Sequence, residues 1–417
     1  MKLPSLSLGL LACLVAPCSS LRADEIPDDL QGTSKNWAHY KKNNYFRDRA
    51  AKTITLQNEN LQIGISKDFG GAIFEFWGKD RSWSHDLIQM SDGGGLQLSI
   101  WGKDATANPR ALWFGGATPN LAGTTGPDGL RDLKGYATRE ECLAAGNTTP
   151  KSEGYAEGAQ TCKNPDYPIL GFSAAGPWNP LQAFYDVRVG MVDTTNDVVE
   201  CKQEGNTVYM RQENPWQFTK TNNCPGIVFE EWVTLHEAYV EIKYAVSSKQ
   251  AARWTRAPQE MPAIFSGYSM NHHGFYYDGD QAFTGGAVER QGHEKRFLKY
   301  PPPPENNGKY MRTATDYKGS IREGWWSVCN ESEDMCMTVA CFSELMESVD
   351  FNLDKKDGHG YLTPQSAIAV DPAKTYTWTI YLFPDKYDGV IAGKTVREWV
   401  YGLAPEDFRT RVAAWQK

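Results

Sequence analysis

Leu61-Gln62-Ile63-Gly64-Ile65 alternates apolar with polar or small positions. A turn at Asp68-Phe69-Gly70-Gly71 follows, and Ala72-Ile73-Phe74-Glu75-Phe76-Trp77 alternates again. A period of two on both sides of a glycine-rich turn predicts a β-hairpin. Leu96 to Trp101 predicts a further strand. Val198–Gln203 and Thr207–Gln212 flank Glu204-Gly205-Asn206 as a second hairpin, and Ile227–Leu235 with Val240–Val246 forms a third with long arms. Trp325–Cys329 and Met335–Phe342 form a fourth around Asn330-Glu331-Ser332-Glu333-Asp334. Thr375 to Leu382 keeps the cleanest period of two late in the chain.

Between the strands lies chain without periodicity. Residues 103–180 are rich in Gly, Pro, Asn and Ala, and so long an insertion in a compact domain is a functional or rim element. Pro301 to Pro304 is a stiff loop, since strands resume after it. Helix is confined to the C-terminus, where Thr395 can cap Val396–Tyr401 and Pro405-Glu406-Asp407 opens a second short helix ending near Trp415. Consecutive hairpins, few helices and no fixed repeat predict an all-β fold, a large antiparallel β-sandwich with a long loop insertion and short C-terminal helices. The expected organisation is a signal peptide over 1–23, an N-terminal extension over 24–57, the sandwich over 58–394, and a helical segment over 395–417.

Composition narrows the function. Of 417 residues, 41% are apolar and 23% charged, enough for a real core and too ordered a composition for a disordered chain. The net charge of -8 argues against nucleic acid as a partner. Lys2 precedes an apolar run, Leu8 to Ala16, too short to span a bilayer, with small residues after it. That is an export signal cleaved near Ser20 or Ala23, and it predicts a secreted or extracytoplasmic protein with no transmembrane span. Leu10-Leu11-Ala12-Cys13 leaves a lipid-anchored alternative open. Beyond the signal the cysteines fall in local groups: Cys142 with Cys162, Cys201 with Cys224, and Cys329, Cys336 and Cys341. Nearest-neighbour pairing gives three disulfides and leaves Cys341 free, although sequence does not fix connectivity. No metal or cofactor is expected: the cysteines lack ligand spacing, and Asp350, Asp354 and Asp357 miss the EF-hand pattern.

Several segments together resemble the secreted galactose-mutarotase-like "supersandwich" group. They are Gly64–Ile73, Leu96–Ser99, Trp178-Asn179-Pro180-Leu181-Gln182, Glu260–Ile264, and Tyr361–Gln365 followed by Tyr376–Trp378. The resemblance implies a sandwich over most of the chain and a carbohydrate ligand. It carries over no catalytic residue, because the His-and-Glu arrangement of true mutarotases is not recognisable at matched positions.

The residues themselves offer candidate chemistry. Asn271-His272-His273-Gly274-Phe275-Tyr276-Tyr277 is a dense polar-aromatic cluster, and on a strand His272 and Tyr276 share a face as an acid/base pair. Glu230-Glu231 sits in an apolar strand and places one carboxylate on each face; the inward one is expected to titrate high, as a general acid does. Trp178, Asn179 and Gln182 read as sugar-positioning residues, a stacking ring with two amides for vicinal hydroxyls. Trp325 and Trp326 are adjacent, so one should face the core and the other offer an outward platform. The expected function is a secreted enzyme that cleaves glycosidic bonds by acid/base catalysis, most simply a glycoside hydrolase using Glu230 or Glu231 with His272 and Tyr276. A polysaccharide lyase and a non-catalytic glycan-binding protein stand as alternatives.

Overall fold

The computed structural model describes residues 53–67, 70–78, 87–88, 96–102, 113–115, 134–136, 140, 144, 170–173, 198–213, 226–249, 259–264, 266, 274–279, 281–291, 296–299, 317–353, 360–366 and 371–415. The export signal, most of the 103–180 insertion, Trp178, Asn179, Gln182, His272, Cys142, Cys162 and Cys224 lie outside the described residues.

The strands, in chain order, begin with β1 (Thr53–Gln57), β2 (Leu61–Ser66), β3 (Ala72–Gly78), β4 (Leu96–Gly102), β5 (Trp113–Gly115), β6 (Lys134–Tyr136) and β7 (Leu170–Ser173). Next come β8 (Val198–Glu204), β9 (Thr207–Glu213), β10 (Ile227–Leu235), β11 (Val240–Ser248), β12 (Gln259–Ile264), β13 (Gly274–Gly279), β14 (Val288–Gln291), β15 (Arg296–Lys299) and β16 (Tyr317–Ser320). The series closes with β17 (Trp325–Cys329), β18 (Cys336–Cys341), β19 (Met346–Leu353), β20 (Gly360–Ser366), β21 (Thr375–Phe383), β22 (Val390–Ile391) and β23 (Lys394–Thr395). Two helices follow, α1 (Val396–Leu403) and α2 (Glu406–Trp415).

Two large sheets make the sandwich. The first is ordered β1-β2-β3-β4-β12-β20-β19-β15-β16 with β7 also on β4, and the second β14-β13-β17-β18-β21-β11-β10-β9-β8. All described pairs within them are antiparallel except β15–β16. The predicted hairpins are present: β2–β3, β8–β9, β10–β11 and β17–β18. The first sheet starts earlier than the pattern predicts, with Thr53–Gln57 as its edge strand.

Alternation sets which side chains meet between the sheets. Leu61, Ile63, Ile65, Ile73, Phe76, Leu96 and Leu98 of the first sheet share one buried core with Phe229, Val233, Ile242, Tyr244, Trp326, Val339, Ile380 and Leu382 of the second. The Trp378 indole N–H reaches across to the Met261 carbonyl at 3.1 Å. At the β2–β3 turn Gly71 has φ +88°, and a Cβ there would collide with the Glu231 carboxyl. Glycine is therefore required on both counts.

The other face of the second sheet is half covered. The C-terminal segment lies over β13, β17, β18 and β21. Phe342 packs on Phe408 (ring centroids 5.2 Å) and Tyr239 on Trp399 (6.1 Å). Thr395 caps α1 in a reciprocal capping box: its backbone N–H donates to Glu398 Oε2 at 2.7 Å and its hydroxyl accepts from the Glu398 N–H at 3.2 Å. Glu323 ties this cover down. Its enclosed carboxylate accepts from the Phe283 N–H (2.8 Å), the Trp325 indole (2.6 Å), Arg397 Nη2 (3.0 Å) and the Tyr401 hydroxyl (3.0 Å).

Beside it Asp278, at φ 47°, accepts from the Arg322 and Glu323 backbone N–H groups. Burial pushes its carboxyl up to about 8, against the opposing pull of those donors. With the folded pKa above the unfolded one, this group's stabilisation is fully present below about pH 4 and is lost as pH rises through about 8. Asp278→Asn should remove this dependence. In urea titrations from pH 5 to 8, the wild type should lose stability relative to the variant by up to about 1.4 kcal/mol per pH unit. Parallel curves for the two proteins would refute the assignment.

Of the expected disulfides, Cys329–Cys336 is formed and pins the β17–β18 hairpin. Cys341 is free and buried, as the pairing predicts, and burial pushes its thiol up to about 12. Cys201 is also free, so the expected Cys201–Cys224 bridge is not made. Among the described residues no helix is long and apolar enough to cross a membrane.

Candidate functional site

Of the residues that sequence grouped as a catalytic set, the described ones, Glu230, Glu231 and Tyr276, are not brought together. Glu231 points between the sheets. It is enclosed, opposite Tyr244 and Met210 in register, with Gly71 against its carboxyl. Burial raises its pKa well above the usual carboxylate range, and the Tyr244 side chain counters this only in part. The high titration expected of the inward carboxyl is present, but the group faces core, where no substrate reaches it.

Glu230 points the other way, onto the half-open outer face of the second sheet, and accepts from the Tyr209 hydroxyl at 2.7 Å. Tyr276 shares that outer side but sits on β13, five strand spacings and six residue rows from Glu230, roughly 30 Å away. A proton cannot pass between groups so far apart. Tyr276 instead belongs to a clamp around the disulfide: its hydroxyl donates to Glu333 and accepts from Arg290 Nε at 3.1 Å, and Lys386 lies 4.7 Å from its ring centroid. Lys386 also bonds Glu333 at 2.8 Å.

Trp325 and Trp326 are both 0% exposed. Alternation does send them to opposite faces, but the outward one is not a platform. Trp325 is covered by Tyr387 (5.5 Å) and by the Arg397 guanidinium (5.8 Å), both from the C-terminal segment.

Buried polar atoms without a partner occur between the sheets, at Glu231 Oε2 and the Tyr244 hydroxyl, and also on the face of the first sheet turned away from the second. Because Leu61, Ile63 and Ile65 point into the core, Gln62, Gly64 and Ser66 point outward. On β3 the register sets Trp77 opposite Gln62 and Glu75 opposite Gly64. All six positions of β2 are buried, while Glu75 and Trp77 beside them on β3 are half-buried and Thr55 and Gln57 on β1 are exposed. Gly64 leaves a position without a side chain, flanked by an amide, a hydroxyl, a carboxyl and an indole. Burial raises the Glu75 carboxyl above its usual range, and a hydrogen bond with Gln62 offsets part of the rise. The Trp77 indole nitrogen and the Ser66 hydroxyl are buried and have no hydrogen-bond partner. Buried polar atoms almost always have one, so an unpartnered pair on one face marks a place for a ligand or water.

The same face continues across the sheet. Glu260 lies opposite Gln365, and Gln365 opposite Ser348, in one row over β12, β20 and β19. The Ser348 hydroxyl is again buried without a partner. Thr363, two residues from Gln365, accepts from the Ile264 N–H at 3.2 Å where β12 departs from β20. Glu75 and Glu260 are two strands and five residue rows apart, roughly 19 Å, so they do not act on one bond. Among the described residues no group of three His, Cys, Asp or Glu could hold a metal ion.

Comparison with known proteins gives the following. No protein-family model matches the chain, and no curated protein does. Among solved structures the chain is similar to a galactose mutarotase-like protein from Lactobacillus casei, at 10% identity and TM-score 0.39, over 79% of this chain and 99% of that one. It is also similar to a galactose mutarotase related enzyme from Lactobacillus acidophilus (8% identity, TM-score 0.38, 80% of this chain and 97% of that one). A third is 4-alpha-glucanotransferase from Thermococcus litoralis (10% identity, TM-score 0.35), where 79% of this chain matches 37% of that one. The first two are of the galactose-mutarotase-like kind that the sequence segments resemble.

Gln62, Ser66, Glu75 and Trp77 were not among the residues that sequence singles out. Their signal was present in the alternation of β2, whose polar positions fall on one side, but alternation alone does not say whether that side meets water.

Proposed function

We propose that the protein is exported, holds a saccharide against the outward face of its first sheet, and cleaves a glycosidic bond there with Glu75 as the proton donor to the leaving oxygen and water as the incoming group. The observation that carries this is the pair of unpartnered buried groups, Trp77 Nε1 and Ser66 Oγ, on either side of the side-chain-free Gly64. Sugars supply what such a site lacks: hydroxyls that both donate and accept, and ring faces that lie against an indole. A carboxyl whose pKa burial raises suits protonation of a leaving oxygen. The leader-like N-terminus and the Cys329–Cys336 disulfide support export.

A second reading, binding without catalysis, is favoured by one measurement of the fold. Glycoside hydrolysis needs two carboxyls within about 5–10 Å, and Glu75 and Glu260 are far outside that range. A glycan-panel digest read by mass spectrometry separates the readings. Hydrolysis yields shorter chains with new reducing ends, and elimination yields an unsaturated uronide that absorbs in the ultraviolet. Glycans that are retained by the protein but unchanged identify a binding protein. A protein that neither retains nor alters any glycan contradicts the proposal.

A further inference from the structure

We infer that β8, the edge strand of the second sheet, pairs antiparallel with β8 of a second copy of this chain, about a two-fold axis through Cys201. Among the described residues β8 is bonded on one side only, to β9. The Asn206 carbonyl accepts from the Leu235 N–H at 2.9 Å, so the even-numbered positions of β9 bond β10 and the odd-numbered ones bond β8. Glu200, Lys202 and Glu204 therefore direct their backbone groups at β9, and Cys201 and Gln203 turn theirs to the edge. That edge meets solvent: Lys202, Gln203 and Glu204 are exposed, and Val199 is 53% exposed. Main-chain groups turned outward beside exposed apolar surface are a template for another strand.

The order of charges on β8 selects the occupant. With Cys201 opposite its own copy, Glu200 meets Lys202 of the partner subunit and Lys202 meets Glu200 of the partner subunit. Both pairs lie on the outer side of the sheet, beside Arg211 and Tyr209 of β9. Opposite charges set directly across two strands stabilise the pair. Gln203 comes to lie against the exposed Val199, and the bulge between Val198 and Glu200 ends regular pairing there. Centring on Lys202 instead would set lysine on lysine and Glu200 on Glu204. Centring on Gln203 would match Lys202 with Glu204, but it runs into the Gly205-Asn206 turn and leaves Val199 uncovered. Cys201 is a free thiol. In the pairing centred on it, the two Cys201 Cα atoms stand about 5.5 Å apart, within the span of about 4.4–6.8 Å that a disulfide bridges.

The test is sedimentation of the full chain with reductant present, over a range of concentrations, with folding of each variant checked by circular dichroism. A monomer–dimer equilibrium should appear. Lys202→Glu, which opposes acid with acid in both charge pairs, should weaken it about tenfold or more. Adding Glu200→Lys to Lys202→Glu should restore it. Oxidised glutathione in place of the reductant should then link the dimer. Two Cys201 thiols lose two protons and two electrons to form one S–S bond, and the glutathione disulfide is cleaved to two thiols. Cys201→Ser should abolish the covalent dimer and leave the non-covalent one. A chain that stays monomeric at every concentration would overturn the inference. So would a dimer indifferent to Lys202→Glu, or one that oxidised glutathione does not link through Cys201.

Discussion

Glu323→Ala should destabilise the protein by about 3–5 kcal/mol, the cost of breaking a buried ion pair by removing one partner. Glu323 gathers four donors from three segments: Phe283 before β14, Trp325 on β17, and Arg397 and Tyr401 on α1. Truncation strands the guanidinium of Arg397, a buried residue, and leaves it the Gly286 carbonyl, 2.7 Å from Nη1. Amide exchange should show the loss first in α1 and α2, whose docking on the second sheet depends on this carboxylate. Glu323→Gln should cost less, since its one amide oxygen still accepts from either the Phe283 N–H or the indole. Changing Arg397 to Met together with Glu323 to Leu should recover part of the loss. A loss below about 1 kcal/mol for the alanine variant would mean that the network is not a structural anchor.

Glu75→Gln is expected to lower the rate of glycosidic cleavage by about 10²–10⁴, the usual contribution of a positioned proton donor. Binding should change little, because glutamine can still bond Gln62 and preserves the shape around Gly64. The wild-type rate should fall as pH rises through the elevated pKa of Glu75, since only the protonated carboxyl can donate. The variant's residual rate should lack that limb. Release of reducing ends across pH, with kcat and KM separated, measures both effects. An unchanged rate would remove Glu75 from the chemistry, and no product from the wild type on any glycan it binds would leave the binding-only reading standing.

How much was legible differs between fold and site. Hairpins such as β10–β11 and strands such as β21 carry an unbroken period of two on sheets with one open face, so their alternation reads directly as structure. β12 and β20 do not, because Pro262 and Pro364 interrupt them and they bond each other across a long stretch of sequence. The outward Trp of the 325–326 pair was a sound inference from alternation, defeated by a tertiary fact: the last thirty or so residues fold back over it. The catalytic set failed for a related reason. Glu230 and Tyr276 both face outward, but strand order in the second sheet does not follow chain order, and four strands lie between them. Glu75 and Trp77 were hidden because a polar face with buried positions and a fully solvated one share the same sequence pattern. Only the burial of every β2 position tells them apart.

The most direct measurement is a crystal structure with a bound oligosaccharide. It should place a sugar ring at Gly64, with oxygens within hydrogen-bond reach of Trp77 Nε1 and Ser66 Oγ and a leaving or bridging oxygen near Glu75. A saccharide bound instead on the outer face of the second sheet, over Tyr209 and Trp232, with the Gly64 region unchanged, would contradict the account.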